Sequence, residues 1–441
     1  MKKNKDIVLV VGNISKSVAQ TVLDFQEMYG HKLRFALMQA SAPQTDDAQA
    51  IFDMFDITMV VNFDSPKSIM KALLPYQDQL LVATCRSEAW IPEFGKVVPH
   101  IPYLKTPTAQ SLQWAVDKLE MRRRFTAYDR SITPKYTKVT DSKKASIEKI
   151  EEKIGYPLVV KPTGLAQSLL VTIAYHREEL EQALKTIFRK IKTLNQSYKG
   201  NEEPRVLVEQ FLEGNMYSVD LYVNSRGHVY FCPLVSVKTG IQVGFDDFFG
   251  YQQMTPTKLK KESIEEAQEV AEKSIHALGL RSTTAHVELM RTETGWKVIE
   301  VGPRIGGFRH NMYELSYGID HAVNDLLIRL PKKPHIPKKI LGYTAVFKFF
   351  AKKEGKITNL TGIKKMQTLK SFYSVSINKK VGERAESAAK GGKSIFNVTM
   401  FNEDRSKLLA DIRRMEKMVN INTSTTNGKA KPKKTKTKKR T

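Results

Sequence analysis

The sequence has little cysteine: Cys85 and Cys232 are the only two in 441 residues, far apart and without metal-type spacing. A disulfide framework and a zinc site are thereby excluded, and a reducing cytoplasm is the expected compartment. Long apolar runs are missing too. The N-terminal MKKNKDIVLVVGN places positive charge before an apolar stretch of only five residues. That is too short for a signal peptide or a membrane span, so it reads as a first β-strand and no membrane partner is expected. Acidic residues are absent from 429–441, KAKPKKTKTKKRT, which holds eight lysines and arginines; subtracting these from the formal +25 leaves +17 on the rest. With no apolar residue large enough to anchor a core, 421–441 reads as a disordered basic tail, suited to weak polyanion contact. No aromatic-basic signature supports specific RNA reading, and no internal repeat is seen.

What is present suits buried cores: 41% of residues are hydrophobic, and the length allows about three domains. From Asp6 to about Pro102, the runs DIVLVVG, LRFALMQA, ITMVVNF and QLLVATC alternate with helical stretches near 15–29, near 46–55 and at SIMKALLPY. This predicts βαβ units and a parallel sheet, a Rossmann-like domain over 1–105. No G-x-G-x-x-G follows the first strand, where VLVVG runs into NISKS, so no dinucleotide is assigned. Residues 106–127 read as basic helix, and YPLVVKP (156–162), RVLVEQFL (205–212) and YSVDLYVN (217–224) as strands. Ile264, Ala267, Ala271, Ile275 and Leu278 keep helical spacing up to the stop at Gly279, and TAHVELM and WKVIEV make a hairpin around RTETG. After about Pro337 the chain turns β-rich through GYTAVFKFFA and FYSVSIN, and DRSKLLADIRRMEKMV supplies a last helix.

The stretch WKVIEVGPRIGGFRH (296–310) concentrates an acid, a guanidinium and bare backbone. Glu288 and Glu300 share parity across the predicted hairpin, so an even register points both to one face. Two carboxylates there repel unless a cation lies between them. Mg²⁺, which takes one or two carboxylates and completes its shell with water and phosphate oxygens, is the economical choice, and Mn²⁺ would serve in its place. Arg304, just past the strand, is placed to steady a transferring phosphoryl group. The plain alternative is a solvent-facing strand pair with ordinary surface acids.

Four motifs in order resemble the ATP-grasp superfamily: DKLEMRRRF…ITPKY, YPLVVKP, VLVEQFLEGNMYSVD, and AHVELM followed by VIEVGPRIGG. The resemblance covers roughly residues 1–420 and is strongest to carboxylate-amine ligases related to L-amino-acid ligases, more distantly to biotin carboxylase. It implies an α/β and α+β multidomain fold: the Rossmann-like domain, a two-lobed nucleotide domain at 106–336, and a β-rich C-terminal subdomain with a final helix at 337–420. It also implies ATP as cofactor and small-molecule carboxylate and amine substrates. The carboxylate would be phosphorylated to an acylphosphate, which an amine then attacks, releasing ADP and phosphate. Position by position, Lys118 and Lys161 match the nucleotide lysines, Glu209 and Leu212 the adenine hinge, Glu288 and Glu300 the metal ligands, and Arg304 the phosphoryl arginine.

Three positions depart from the family pattern. Gly302 stands where Asn is common, Met216 stands where a ribose-binding glutamate is usual so that Glu213 would take that role, and the phosphate loop KPTGLAQSLLV has Gly164 alone, with Ser168 as substitute donor. Gly306 and Gly307 are expected to make room for the acyl group, and Arg309 to grip a substrate carboxylate as a fork, with a structural salt bridge or helix cap as the plain alternative. The aromatic stretch KTGIQVGFDDFFGYQQ (238–253) is placed at the acceptor pocket, with Asp246 and Asp247 as amine binders. A homodimer would be ordinary for this architecture. The rival functions are a biotin-carboxylase-like enzyme with a separate carrier and a non-catalytic ATP-binding or nucleic-acid-associated protein.

Overall fold

A computed structural model describes residues 5–14, 19–20, 33–162, 171–197, 206–245, 247, 249–388 and 392–424, with backbone alone for 191–197. Gly164, Ser168, Asp246, most of the first expected helix and the chain beyond residue 424 lie outside them. Strands β1 (Ile7–Val11), β2 (Arg34–Gln39), β3 (Ile57–Val60) and β4 (Leu80–Thr84) form a parallel sheet in the order β3-β2-β1-β4. A parallel sheet needs cover on both faces, which is why its strands read as unbroken apolar runs. Val8 and Val10 pack with Phe35 and with Phe52 of α1 (Asp46–Phe52). Ile7, Leu9 and Val11 face Ile69 and Leu73 of α2 (Pro66–Leu73) and Phe94 of α3 (Ile91–Val97).

The basic stretch that follows breaks into two helices, α4 (Ala109–Val116) and α5 (Lys118–Tyr128), because the Asp117 carboxylate accepts from the N–H groups of Leu119 and Glu120 and caps the second. Strands β5 (Tyr136–Val139), β6 (Leu158–Pro162), β7 (Thr172–Ala174) and β8 (Val206–Gln210) then build a small antiparallel lobe in the order β5-β8-β6-β7. Leu158, Val160, Val206 and Val208 turn inward against Ile147 and Ile150 of α6 (Lys144–Lys153) and Leu180 and Leu184 of α7 (Arg177–Ser197). By the period of two, Lys161 and Glu209 point to the opposite face.

The rest of the chain runs β9 (Asn215–Val223), β10 (Val229–Phe231), β11 (Val235–Thr239), β12 (Gly250–Thr255), α8 (Lys261–Ala277), β13 (Thr283–Thr292), β14 (Gly295–Gly302), α9 (Arg309–Tyr317) and α10 (His321–Arg329). It continues through β15 (Tyr343–Phe349), β16 (Gly355–Thr361), α11 (Ile363–Met366), β17 (Phe372–Ile377), β18 (Arg384–Ala385), β19 (Phe396–Asn402), α12 (Arg405–Met418) and β20 (Asn420–Ser424). One nine-stranded sheet takes the order β14-β13-β9-β11-β12-β15-β19-β17, with β10 on β9. Within 337–420, expected as a β-rich C-terminal subdomain with a final helix, β15 pairs along β12 from Gln252↔Phe347 to Thr255↔Thr344, so the late strands extend the sheet that carries the hairpin. Only β16, β18 and β20 form a sheet apart. Residues 421–424, expected in the disordered tail, are strand, because β20 pairs with β16 and Ile421 packs on the C-terminal core.

Helix α10 joins the N-terminal sheet to the large one. Its Val323 and Leu326 enter the core around Val8 and Val10. Its Asp325, 1% exposed, accepts from Thr84 Oγ1 at 2.7 Å and from Thr284 Oγ1 at 2.6 Å. Arg86 at 3.2 Å and Arg329 at 3.2 Å balance its charge. Burial alone would raise this carboxyl, but the two arginines and the two hydroxyls outweigh it and hold it well below the usual carboxylate range.

A folded-state pKa below the unfolded one, near 3.8, means that Asp325 stabilises fully above that value and loses its contribution as pH falls toward the lower folded one. Urea midpoints measured from pH 7 down to 3 should therefore fall more steeply for wild type than for Asp325→Asn. Parallel curves would place the acid sensitivity in other groups.

Candidate active site

Three neighbouring strands put one row of polar side chains on a single face. In β13 and β14 Glu288 stands directly opposite Glu300, and His286 opposite Gly302; in β9 Ser218 stands opposite Glu288 and Asp220 opposite His286. The alternate residues Val219, Leu221, Val287, Leu289, Val298 and Val301 turn to the other face and form a core with Phe125 of α5 and Ala267, Ala271 and Ile275 of α8. The expected even register of the two glutamates is thus the register of the structure. A β-bulge follows at once, since Glu288 pairs with Glu300 but Leu289 with Val298, leaving Ile299 without a partner.

Every acid in this row has a basic side chain beside it. Lys118, the first residue of α5, sets its Nζ 2.8 Å from Glu300 Oε2. Burial pulls this ammonium down, but Glu300, with Glu288 and Glu209 beyond it, outweighs burial and leaves it more basic than an ordinary lysine. His286 lies between Asp220, at 2.6 Å from Nδ1, and Glu288, at 3.6 Å from Nε2. Burial disfavours the imidazolium, yet Asp220 lifts the His286 pKa above its ordinary value, and against burial His286 in turn lowers that of Glu288. Arg304 Nε sits 2.5 Å from Glu88 Oε2, a residue of the short turn Glu88–Trp90 after β4. Gly302 makes that approach available: a Cβ there would lie 2.9 Å from the same carboxylate oxygen. The position that departs from the family pattern is therefore occupied by the N-terminal domain's own acid.

From the small lobe, Lys161 Nζ lies 2.6 Å from Glu209 Oε2. Arg122 of α5, 2% exposed, donates from Nε to Glu209 Oε1 at 2.6 Å, from Nη2 to the Ile299 carbonyl at 2.6 Å, and from Nη1 to that of Val298 at 3.2 Å. One guanidinium thus ties β8 of the small lobe to the bulge of β14. Burial raises the Glu209 carboxyl, but Arg122 and Lys161 bring it down to about 2. Burial, with Arg122 and Lys118 nearby, brings Lys161 down to about 8 in spite of Glu209.

The structure brings Lys118, Glu288, Glu300 and Arg304 together through these contacts and places Lys161 and Glu209 on the facing lobe. Glu209 spends its side chain on Arg122 and Lys161. Leu212 is half-buried and Glu213 exposed in the link between β8 and β9, which the Phe211 N–H fixes by donating to the Pro157 carbonyl at 3.1 Å. Three expectations are corrected. Arg309, expected as a substrate fork or else a structural salt bridge, takes the structural role: it is 2% exposed, donates to Gln253 Oε1 and Ser218 Oγ, each at 2.6 Å, and lies 3.8 Å from Asp220. Asp247, expected to bind an amine, is buried and accepts from Tyr251 Oη at 2.7 Å and from the Phe249 N–H at 3.0 Å. Gly306 makes room for protein rather than for an acyl group: a Cβ there would lie 2.4 Å from His286 Nδ1, and its N–H donates to Asp220 Oδ2 at 2.7 Å. Sequence reasoning missed Arg122, Glu88, Asp220 and His286. Only His286 carried a local signal, its shared parity with Glu288.

Comparison with known proteins agrees with this geometry. Residues 154–311 match the ATP-grasp domain family, and the chain carries an ATP-grasp domain. It is 28% identical to alanine–anticapsin ligase of Bacillus amyloliquefaciens over 300 residues, 63% of this chain and 61% of that one. To D-alanine–D-alanine ligase of Lacticaseibacillus casei strain BL23 it is 30% identical over 153 residues, 33% and 37% of the two chains. The crystal structure of L-amino acid ligase from Bacillus licheniformis superposes with a TM-score of 0.73 at 17% identity, covering 96% of this chain and 100% of that one, a likeness of fold. The chain spans between 52% and 61% of the lengths of the first three curated relatives that it matches.

Removing the Arg122 charge should strand Glu209 beside Lys161 alone and leave the Ile299 carbonyl unsatisfied. We expect Arg122→Met to cost about 3–5 kcal/mol, as losing one partner of a buried pair does, and to speed amide exchange in both β8 and β14. Faster exchange in β8 with β14 unchanged would show that the guanidinium does not couple the lobes.

Proposed function

We propose that the protein is an ATP-dependent, ADP-forming ligase that phosphorylates a substrate carboxylate and joins it to an amine, with amino-acid-like substrates. The observation that carries this reading is the direct opposition of Glu288 and Glu300, flanked by Lys118 and Arg304 and faced by Lys161 from the other lobe. A carboxylate is a poor electrophile, because oxide is a poor leaving group. Phosphorylation supplies a good one, so the protein's work is to position two anions and to neutralise their charge.

The donor set fits Mg²⁺ held jointly with a nucleotide. Among the described residues no cluster of three or more acids, histidines or cysteines is arranged to enclose a metal by itself, whereas two carboxylates on one face are what a magnesium shared with phosphates requires. Glu288 and Glu300 would hold it, and when bound it would offset phosphate charge. Lys161 and Lys118 would meet the phosphates, each leaving a carboxylate for a phosphate oxygen. Arg304, already desolvated, would turn from Glu88 to the transferring group. The 211–213 link would seat the adenine, with Leu212 against the ring and Glu213 toward the ribose, and Ser168 would donate from the phosphate loop. Two buried free thiols, Cys85 and Cys232, suit a reducing cytoplasm. No helix among the described residues is long and apolar enough to cross a membrane.

Incubation of the full chain with Mg-ATP, with and without pooled amino acids, and separation of ADP from AMP tests the reading. ADP is expected only with the pool, and Glu300→Ala with Arg304→Ala should lower its formation by roughly a thousandfold, the scale of losing charge stabilisation at the transferring group. Undiminished turnover in that double variant would sink the proposal. Because the Lys161 ammonium is lost as pH rises past about 8, nucleotide affinity should be level below that pH and fall above it, and Lys161→Met should flatten the profile. A wild-type affinity unchanged up to pH 9.5 would remove Lys161 from the phosphate site.

A further inference from the structure

The large sheet has a second face, turned away from the Glu288 row, and two helical layers cover it side by side. Over β9, β13 and β14 the cover is α8, through Ala267, Ala271 and Ile275; over β12, β15 and β19 it is α12, through Leu408, Ile412 and Met415. At the seam between them Tyr217 pairs with Ser236 and Ser236 with Met254, which puts these three side chains in one line on this face. A cavity of about 290 Å³ opens there, with Leu259 of the β12–α8 link adding to its apolar lining. Its charged lining is of one sign: Lys258 of the same link, Arg291 near the end of β13, and Arg405, the first residue of α12. Arg291 reaches this face because it follows Val287 and Leu289 by the period of two. Among the described residues no carboxylate forms an ion pair with any of the three. Asp404, next to Arg405, is spent on capping α12, where it accepts from the N–H groups of Ser406 and Lys407. Ser236 Oγ is spent on the Met254 carbonyl, at 3.1 Å. Arg405 Nε is hidden from water without an acceptor, and a buried donor left unmet is costly. Whereas the Glu288 row gives each acid a base, this cavity gathers three bases and no acid.

We propose that this cavity is a binding site for a phosphate monoester with a small apolar body. Two guanidinium forks match phosphate oxygens and the ammonium adds a point charge. A monoester at neutral pH is close to a dianion, so it offsets more of this charge than one carboxylate does. Tyr217, Met254 and Leu259 give its apolar part a floor, and the volume suits a molecule at the small end of those that proteins enclose, about 300 Å³. Because β9 and β13 show this cavity the side opposite to Asp220 and Glu288, its ligand is not a reactant at the Glu288 row, and the assignment stands apart from the ligase reading.

Isothermal titration of the full chain at neutral pH with phenyl phosphate, inorganic phosphate and benzoate tests this, comparing wild type, Arg291→Met, Arg405→Met and Lys161→Met. Circular dichroism checks that each variant is folded, and because Arg291 is exposed, its variant keeps the test decisive should Arg405→Met not fold. Phenyl phosphate should bind wild type saturably with a Kd below about 1 mM, more tightly than inorganic phosphate, which lacks the ring, and than benzoate, which lacks the second charge. Either arginine variant should weaken it roughly tenfold or more, the worth of one charge-assisted hydrogen bond. Lys161→Met, whose lysine belongs to the small lobe, should bind it as wild type does. No saturable binding by wild type, benzoate or inorganic phosphate bound as tightly as phenyl phosphate, or an affinity unchanged in the folded arginine variants overturns the assignment. Binding lost in Lys161→Met and kept in the arginine variants also overturns it, by moving the phosphate to the proposed nucleotide site.

Discussion

The geometry of the site depends on the guanidinium of Arg122. A bulge at Ile299 takes one carbonyl of β14 out of the ladder, and Arg122 satisfies it while its other edge holds Glu209 of the small lobe. A buried ion pair is costly to desolvate and is weak evidence for stability as such. Its hydrogen bonds are nevertheless directional, and a planar fork that meets two backbone carbonyls and one carboxylate fixes position better than an apolar contact would. The same bulge falls between the Glu288↔Glu300 pair and the rest of the hairpin. The irregularity that ends regular pairing and the cation that repairs it therefore also define where the two carboxylates stand.

Around this anchor the charges are nearly balanced in advance. Lys118 leans on Glu300, Lys161 on Glu209, Arg304 on Glu88, and His286 bridges Asp220 and Glu288. Burying so many like charges without partners would be prohibitive. Pairing them lets the cations sit largely desolvated before any anionic ligand arrives, and in the proposed ligase a phosphate oxygen would replace a carboxylate oxygen with little reorganisation. Glu88 gives the N-terminal domain a part in this arrangement, and Asp325 gives it a firm seat, by joining Thr84 and Arg86 to Thr284.

Much of this was legible in the sequence because it is periodic. The four parallel strands, the inward Leu158 and Val160 that turn Lys161 to the opposite face, and the shared parity of Glu288 and Glu300 all follow from a repeat of two. What escaped depends on partners distant in the chain. Arg122 lies in a run of three arginines with nothing local to mark it as the buried one; its neighbours Arg123 and Arg124 pair with Glu120 near the surface. Glu88 reaches a site built more than two hundred residues later. The continuation of the large sheet into 337–420 was hidden for the same reason, since no strand's own sequence states that β15 will pair with β12. Asp247 and Arg309 stayed open in the sequence because residue type alone does not distinguish an acid or a guanidinium offered to a ligand from one satisfied by Tyr251, or by Gln253 and Ser218.

The continuity of the nine-stranded sheet from β14 to β15 has a chemical consequence. If the late strands formed their own unit, the Glu288–Glu300 row and the aromatic group of Phe249, Tyr251 and Phe350 would be joined by loops and free to drift relative to each other. Instead, antiparallel pairings fix their spacing at a few ångströms per strand, and Arg309, spanning from Ser218 on β9 to Gln253 on β12, braces the strands between them. Ligation of two small molecules requires a set distance between an activated carboxylate and an attacking amine, and misplacement by an ångström is expensive. In the proposed ligase a single sheet would supply that distance from backbone geometry.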